Sequence, residues 1–308
     1  MTTFTEFFNC KYPIACMAMN QVSDVPLAIA VRTAGCLPSL SIFNYYVKGG
    51  VIDPTLFEQA LKQYQDAVGD ASILVSTDIT VLVNLPIIVD LLLTYRVKAV
   101  EIILEYQAGS NPRLRATLPA VIARLRSAGT LVFIKSLHHD DSMPNTDGIV
   151  LKGPDGAGRG NTTGETLEQL FDQFKLKFPA QKIITSGGVG TSTQLRYYLD
   201  RGAFGVGIGT MFAVSAESKI STETKLKLVA ASAADVTQLN NGKSRSNGQN
   251  AVVFSSTSDD NQNNTRGLMA GIRNPTQGHV FIGKGIEHAT EILTCNEIVK
   301  RLVEDLQH

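Results

Sequence analysis

Short, continuous apolar runs recur along the chain, separated by segments that read as helices. The runs predict strands near Pro13–Ala18, Cys36–Ser41, Ala71–Thr77, Ala99–Leu104, Thr130–Ser136, Gly148–Lys152, Lys182–Ser186 and Phe204–Ile208. They are unbroken rather than alternating, as parallel strands covered on both faces require. Helices are predicted over Asp24–Ala34, Pro54–Val68, Leu85–Tyr95, Leu114–Ala128, Glu165–Phe178 and Ser192–Arg201. Several carry boundary signals: Asp53 as N-cap before Pro54 at the first helical position, and Gly35, Gly69, Gly129 and Gly202 just past helix ends. Eight strands with mostly helical crossovers favour an α/β fold, a (β/α)8 TIM barrel. A doubly wound open sheet is the alternative.

Two regions break the pattern. Only LHHDDSMPNTD separates the fifth and sixth strands, too short, with Pro144, for a normal covering helix. A shortened fifth crossover leaves that wall to be covered by the termini, by a second copy in a homodimer, or by a partner subunit. After the eighth strand, Ser218–Ala234 reads as a helix, and residues 239–266 are rich in Asn, Ser, Gly and Asp around the small apolar run Ala251–Phe254. This is either a disordered excursion or a lid over the barrel mouth. The chain closes with HVFIGKGIEH and a helix, Cys295–Leu306, expected to pack on the barrel. The expected organisation is thus a barrel from residues 1–217 and 279–308, with 218–278 as a helix plus a flexible insertion or lid.

Composition narrows the function. The chain carries 28 basic and 28 acidic side chains and no long Lys/Arg run, which argues against a nucleic-acid surface. The start has no basic flank and long apolar run of a secretory signal, and VLVNLPIIVDLLL is too short and too polar to span a membrane. Four scattered cysteines without a CxxC pair are expected to be reduced thiols of a cytoplasmic protein, with no metal cluster.

In a barrel the loops after the strands build the site. The seventh strand ends in Ser186, Gly187 and Gly188, and the eighth in Gly209 and Thr210. Glycines there let backbone N–H groups approach an anion, and these two loops are where barrels hold phosphate. Tight turns alone are the alternative. Neither GxxxxGK[ST] nor a GxGxxG opening a βαβ unit is present, which points to a mononucleotide cofactor or sugar phosphate. Lys135, ending the fifth strand, reads as a charge partner for a flavin pyrimidine edge, a Schiff-base nucleophile or a residue at the strand rim. His138, His139, Asp140 and Asp141 offer one imidazole to the site, or only a solvated loop. Glu105 ends the fourth strand, before a turn containing Gly109, Asn111 and Pro112.

These residues carry a wider pattern. The stretches PIACMAMNQVSDVPLAIAVRTAGCLPSLS, TDGIVLKGPDGAGRG, IITSGGVGTSTQLRYYLDRGAFGVGIGTMFAVSAES and HVFIGKGIEHATEILTCNEIVKRLVEDL recur in order. Together they resemble the nitronate monooxygenase (2-nitropropane dioxygenase-like) family of FMN-dependent barrels, related to flavin-dependent enoyl-thioester reductases. The resemblance implies FMN phosphate at Gly187–Gly188 and Gly209–Thr210 and an isoalloxazine near Ala18–Met19. It puts Thr77 where the family usually has an amide side chain, and Lys135 close to a flavin-facing position. The turn Ala108–Pro112 looks more like the reductase branch. In the sixth-strand loop the family pattern is Gly-x-Glu/Asp-x-Gly-Gly-His, and its histidine is the expected acid or base. Here the loop runs Gly153, Pro154, Asp155, Gly156, Ala157, Gly158, Arg159, with no imidazole. Arg159 is the nearest substitute, able to hold an anion but a poor base. His138 on the neighbouring loop is the other candidate for the missing group.

The expected function is an FMN-dependent oxidoreductase acting on a small anionic or activated substrate. The alternatives are an NAD(P)H-consuming enoyl-thioester reductase and a non-catalytic barrel that binds flavin or phosphate beside a partner.

Overall fold

A computed structural model describes residues 2–47, 51–104, 111–136, 146–159, 164–239, 249–253, 272 and 279–307. Eight parallel strands, β1 (Ile14–Cys16), β2 (Ser39–Ser41), β3 (Leu74–Asp78), β4 (Ala99–Ile103), β5 (Leu131–Ser136), β6 (Gly148–Lys152), β7 (Lys182–Ser186) and β8 (Gly205–Ile208), pair in sequence, and β8 returns to β1. The seam between β1 and β2 is closed two residues before β2 proper. There Leu37 N donates to Ile14 O at 2.9 Å and Cys16 N to Leu37 O at 2.8 Å. The result is the (β/α)8 barrel.

The helices form where local chemistry directs them. α1 (Phe4–Phe8) opens with a capping box of Thr3 and Glu6; α2 (Val25–Thr33) is N-capped by Asp24. α3 (Pro54–Val68) starts at its Asp53 cap and stops at Gly69, left-handed at φ 77°. Its buried Phe57, Ala60, Leu61 and Tyr64 follow one helical face. α4 (Ile79–Asn84) and α5 (Pro86–Thr94) break at Pro86, and α6 (Pro112–Ser127) begins two residues earlier than the sequence suggests. Asn111 caps it, accepting from Arg113 N at 3.0 Å, and Pro112 sits at the first helical position. α7 (Leu167–Lys177) and α8 (Ser192–Asp200) each start from a Thr/Gln capping box.

The apolar strands divide their side chains between the inside and the outside of the barrel, with two clusters on the outside. Outward residues such as Val100, Ile102, Val132 and Ile134 pack under α3, α5 and α6. Inward residues Ala15, Leu37, Leu74, Ala99, Phe133, Val150 and Ile184 fill the barrel with Phe4 and Phe8 of α1. β8 can admit that plug only because Gly205 lacks a side chain: a Cβ there would stand 2.6 Å from the Phe4 ring.

Beyond β8 come α9 (Thr210–Ala213), α10 (Thr222–Val229) and, at the end, α11 (Cys295–Leu302), which packs against α2, α8 and α9. Glu217 accepts Cys295 N with both carboxylate oxygens at 3.0 Å, tethering the start of α11. The predicted helix over Ser218–Ala234 is shorter, since Ser221 caps it and the chain turns after Val229.

The Asn/Ser-rich segment is not entirely irregular. Val236–Leu239 and Gln249–Val253 are antiparallel strands, and Gln249–Val253 also pairs with His279–Val280 and with Gly158–Arg159. Residues 240–248, 254–271 and 273–278 lie outside the described residues, as do Glu105, Gly109 and the His138–Asp141 group. The fifth crossover joins Ser136 to Gly148, and its residues 137–145 lie outside them as well. No helix among the described residues is long and apolar enough to cross a membrane.

Candidate functional site

The C-terminal ends of the strands open into a cavity of about 180 Å³, walled by the loops after β1, β6, β7 and β8 and by residues near 280. Its position follows from the sequence. β7 ends in Ser186 and then turns through Gly187 and Gly188, both left-handed at φ 100° and 88°. Gly187 is also hemmed in, because an added Cβ would lie 3.1 Å from Gly153 N, Gly153 O and Gly156 N. The β6 loop therefore rests directly on the β7 turn, which only glycine permits. α8 begins four residues beyond Gly188, and Gly209 leads from β8 into α9.

The opposite wall is the loop after β1. Ser23 Oγ accepts Met19 N at 2.8 Å, and Asn44 spans the turn, accepting from Gln21 N and donating to Ser23 O at 2.6 Å. These bonds hold Ala18 and Met19 facing the cavity. Gly207 makes room for Met17 beneath them, since a Cβ there would collide with the Met17 thioether.

The distal chain roofs the cavity. Ile272, Val280, Phe281 and Gly285 line it, and Gly283 N donates to Thr210 Oγ1 at 3.2 Å. Lys284 Nζ reaches Asp155 Oδ1 at 2.8 Å, and Lys284 N donates to Asp155 O at 2.9 Å. Across the β6 loop, Lys152 donates to Ala157 O. The described part of that loop is thus held from below by Lys152 and from above by Lys284, while Gly158–Arg159 adds a short strand to the outer sheet.

Ala18, Met19, Lys135, Gly158, Ser186, Gly187, Gly188, Gly209 and Thr210 all line this one cavity. Thr77 does not line it. It pairs in register with Ile102, whose side chain packs in the outer core, so alternation turns Thr77 away from the barrel axis. Ser76 is the inward residue. Arg159 is placed by its backbone, paired with Gln249, and its side chain lies outside the described residues, as His138 does entirely.

Sequence reasoning missed three participants. Lys152 lines the cavity from the end of β6, and Asn44 braces the β1 loop from outside it. Deeper in the barrel, Glu101 is fully buried, with Oε1 2.8 Å from Lys135 Nζ and accepting Ser76 Oγ at 2.7 Å. A charged residue inside an apolar strand run is the signal that would have found it. The four cysteines are buried, with thiols raised by desolvation: Cys10 to about 11, Cys295 to about 12, and Cys16 and Cys36 well above the usual value. None lines the cavity.

Comparison with known proteins agrees with this architecture. No curated protein matches the sequence significantly. FabK from Thermotoga maritima superposes with a TM-score of 0.78 at 19% identity, covering 100% of this chain and 96% of that one. The enoyl reductase domain of MlnA from the macrolactin biosynthesis cluster of Bacillus amyloliquefaciens gives 0.73 at 12% identity, over 99% and 96%. Nitroalkane oxidase from Streptomyces ansochromogenes gives 0.71 at 18% identity, over 99% and 98%. These likenesses establish the shared barrel, and the family model for nitronate monooxygenase matches residues 1–305: the chain belongs to the nitronate monooxygenase family.

Proposed function

We propose that the protein is an FMN-dependent oxidoreductase acting on a small substrate that is anionic or carries an activated carbonyl. The observation that carries this reading is the convergence of two glycine turns, Gly187–Gly188 and Gly209–Thr210, on one cavity that also holds Met19 and Lys135. The glycine walls suit a flat, phosphorylated cofactor. Left-handed glycines after β7 expose backbone amides without side-chain obstruction, and a Cβ on Gly187 would meet the β6 backbone instead.

In this reading Ser186, Gly187, Gly188, Gly209 and Thr210 hold the phosphate, and Ala18 and Met19 face the ring. Lys135 supplies positive charge at the cavity wall. The chemistry FMN supplies when bound is two-electron redox. The protein's contribution is to place donor and acceptor against it and to shut water out beneath Val280 and Phe281. Arg159 is the nearest substitute for the histidine of the family pattern. Its guanidinium stays protonated, so it binds a nitronate, carboxylate or thioester oxygen and stabilises developing negative charge, and it does not abstract a proton. A substrate that arrives already as its anion suits such a site better than one that must be deprotonated there.

The test is the visible spectrum of the purified protein with added FMN, then anaerobic NADPH, then substrate. A flavin spectrum with NADPH-independent oxygen uptake on a nitronate supports the oxygenase reading. Bleaching by NADPH with turnover of an enoyl thioester transfers the assignment to a reductase. Protein that takes up no FMN overturns the cofactor assignment. Arg159→Ala is expected to raise KM for an anionic substrate at least tenfold while leaving FMN bound.

A further inference from the structure

Three consecutive strands place polar side chains inside the barrel, where layers of apolar residues are the rule. Ser76 of β3 and Glu101 of β4 are register partners, and Lys135 follows two residues after Phe133, the partner of Glu101 on β5. Glu101 is 0% exposed. Its Oε1 receives both Lys135 Nζ at 2.8 Å and Ser76 Oγ at 2.7 Å, while its Oε2 is buried with no hydrogen-bond partner among the described residues. A buried pair of this kind stabilises a fold no better than well-packed apolar residues, and the unsatisfied oxygen is a further cost. Lys135 is the member of the trio that lines the cavity. An ammonium has three donor protons. Among the described residues one is committed to Glu101, and the others can serve a ligand.

We propose that Glu101 is a positioning residue that anchors the Lys135 ammonium at the cavity wall and tempers the positive field it presents to bound FMN. The inference rests on the FMN reading above. Glu101 itself does not line the cavity. The pair presents its positive end to the cavity and keeps its negative end within the barrel, so the cofactor meets a dipole rather than an isolated cation. Removing the carboxylate leaves the cation untempered and favours the more negative, reduced cofactor. Removing the lysine does the reverse.

The experiment is a potentiometric titration, followed by visible absorbance, of wild type, Glu101→Gln and Lys135→Met, each loaded with FMN. Glu101→Gln is expected to favour the reduced over the oxidised form about tenfold, a rise of about 30 mV for a two-electron couple. Lys135→Met is expected to lower the potential. A Glu101→Gln potential equal to wild type, or a shift of the same sign in both variants, overturns the proposal, because a merely structural role weakens both redox forms alike. If Glu101→Gln does not fold, Glu101→Asp keeps the charge but shortens its reach. It should move the potential upward by a smaller step, and an unchanged value there is equally fatal. Wild type that binds no FMN removes the cofactor reading and this proposal together, whereas FMN-loaded wild type with an indifferent Glu101→Gln removes only the role of Glu101.

Discussion

Substituting Gly187 by alanine tests whether the β7 turn shapes the cavity or merely reverses the chain. Alanine at φ 100° costs about 1–3 kcal/mol of backbone strain. The added methyl would also stand 3.1 Å from three backbone atoms of Gly153 and Gly156, so the β6 loop must retreat by a few tenths of an ångström. Gly69 provides the control. It is left-handed at φ 77°, but a Cβ there meets nothing within 4 Å and it lies far along the chain from any cavity residue. Gly69→Ala therefore pays only the strain. At roughly 2 °C per kcal/mol for a chain of this size, strain alone should lower Tm by roughly 2–6 °C in Gly69→Ala, and Gly187→Ala should lose more because its methyl also displaces the β6 loop. The decisive measurement is FMN affinity by fluorescence quenching. Displacing the loop should weaken binding at least about tenfold, or 1.4 kcal/mol, in Gly187→Ala and leave Gly69→Ala at the wild-type value. Equal melting losses with unchanged FMN affinity in both would refute the close packing of turn and loop as the determinant of the site.

Two further outcomes concern titration. Burial holds His279, on the outer sheet, below the usual imidazole value, so the unfolded chain binds its proton more readily than the folded one. The stabilising effect of the neutral ring is complete above the unfolded value near pH 6.5 and is lost as pH falls through it toward the lower folded value. Melting from pH 8 to pH 5 should therefore show a decline that His279→Gln flattens; an identical slope in the variant would count against it. The cysteine thiols, raised by burial to about 11 and 12 at Cys10 and Cys295, should resist a disulfide-exchange reagent at pH 8 in the native protein. All four should react after unfolding, and rapid native labelling would contradict the described packing.

Much of the barrel was legible because buried parallel strands need unbroken apolar runs and helices need caps. Asp53–Pro54 and Gly69 delimit α3 at the residues the sequence marks. The glycines after β7 and β8 were legible for the same local reason. What escaped depends on contacts between distant segments. Thr77 and Ser76 differ only in which side of β3 they occupy, and that is set by pairing with β4, not by their own neighbours. Glu101 hides within an apolar run, and its partners come from the strands on either side. Residues 249–253 sit in polar surroundings that signal a loop, yet three other segments supply their backbone partners.

That outer sheet has a consequence for the order of assembly. All eight barrel strands are complete by Ile208, but Gly158–Arg159 finds its strand partner only in Gln249–Asn250, and Asp155 its lysine only at Lys284. On the ribosome, the scaffold has all its pieces well before the wall of the cavity has its own. A truncated chain ending after α9 would thus retain the barrel's pairing instructions yet lack the means to shape its own mouth.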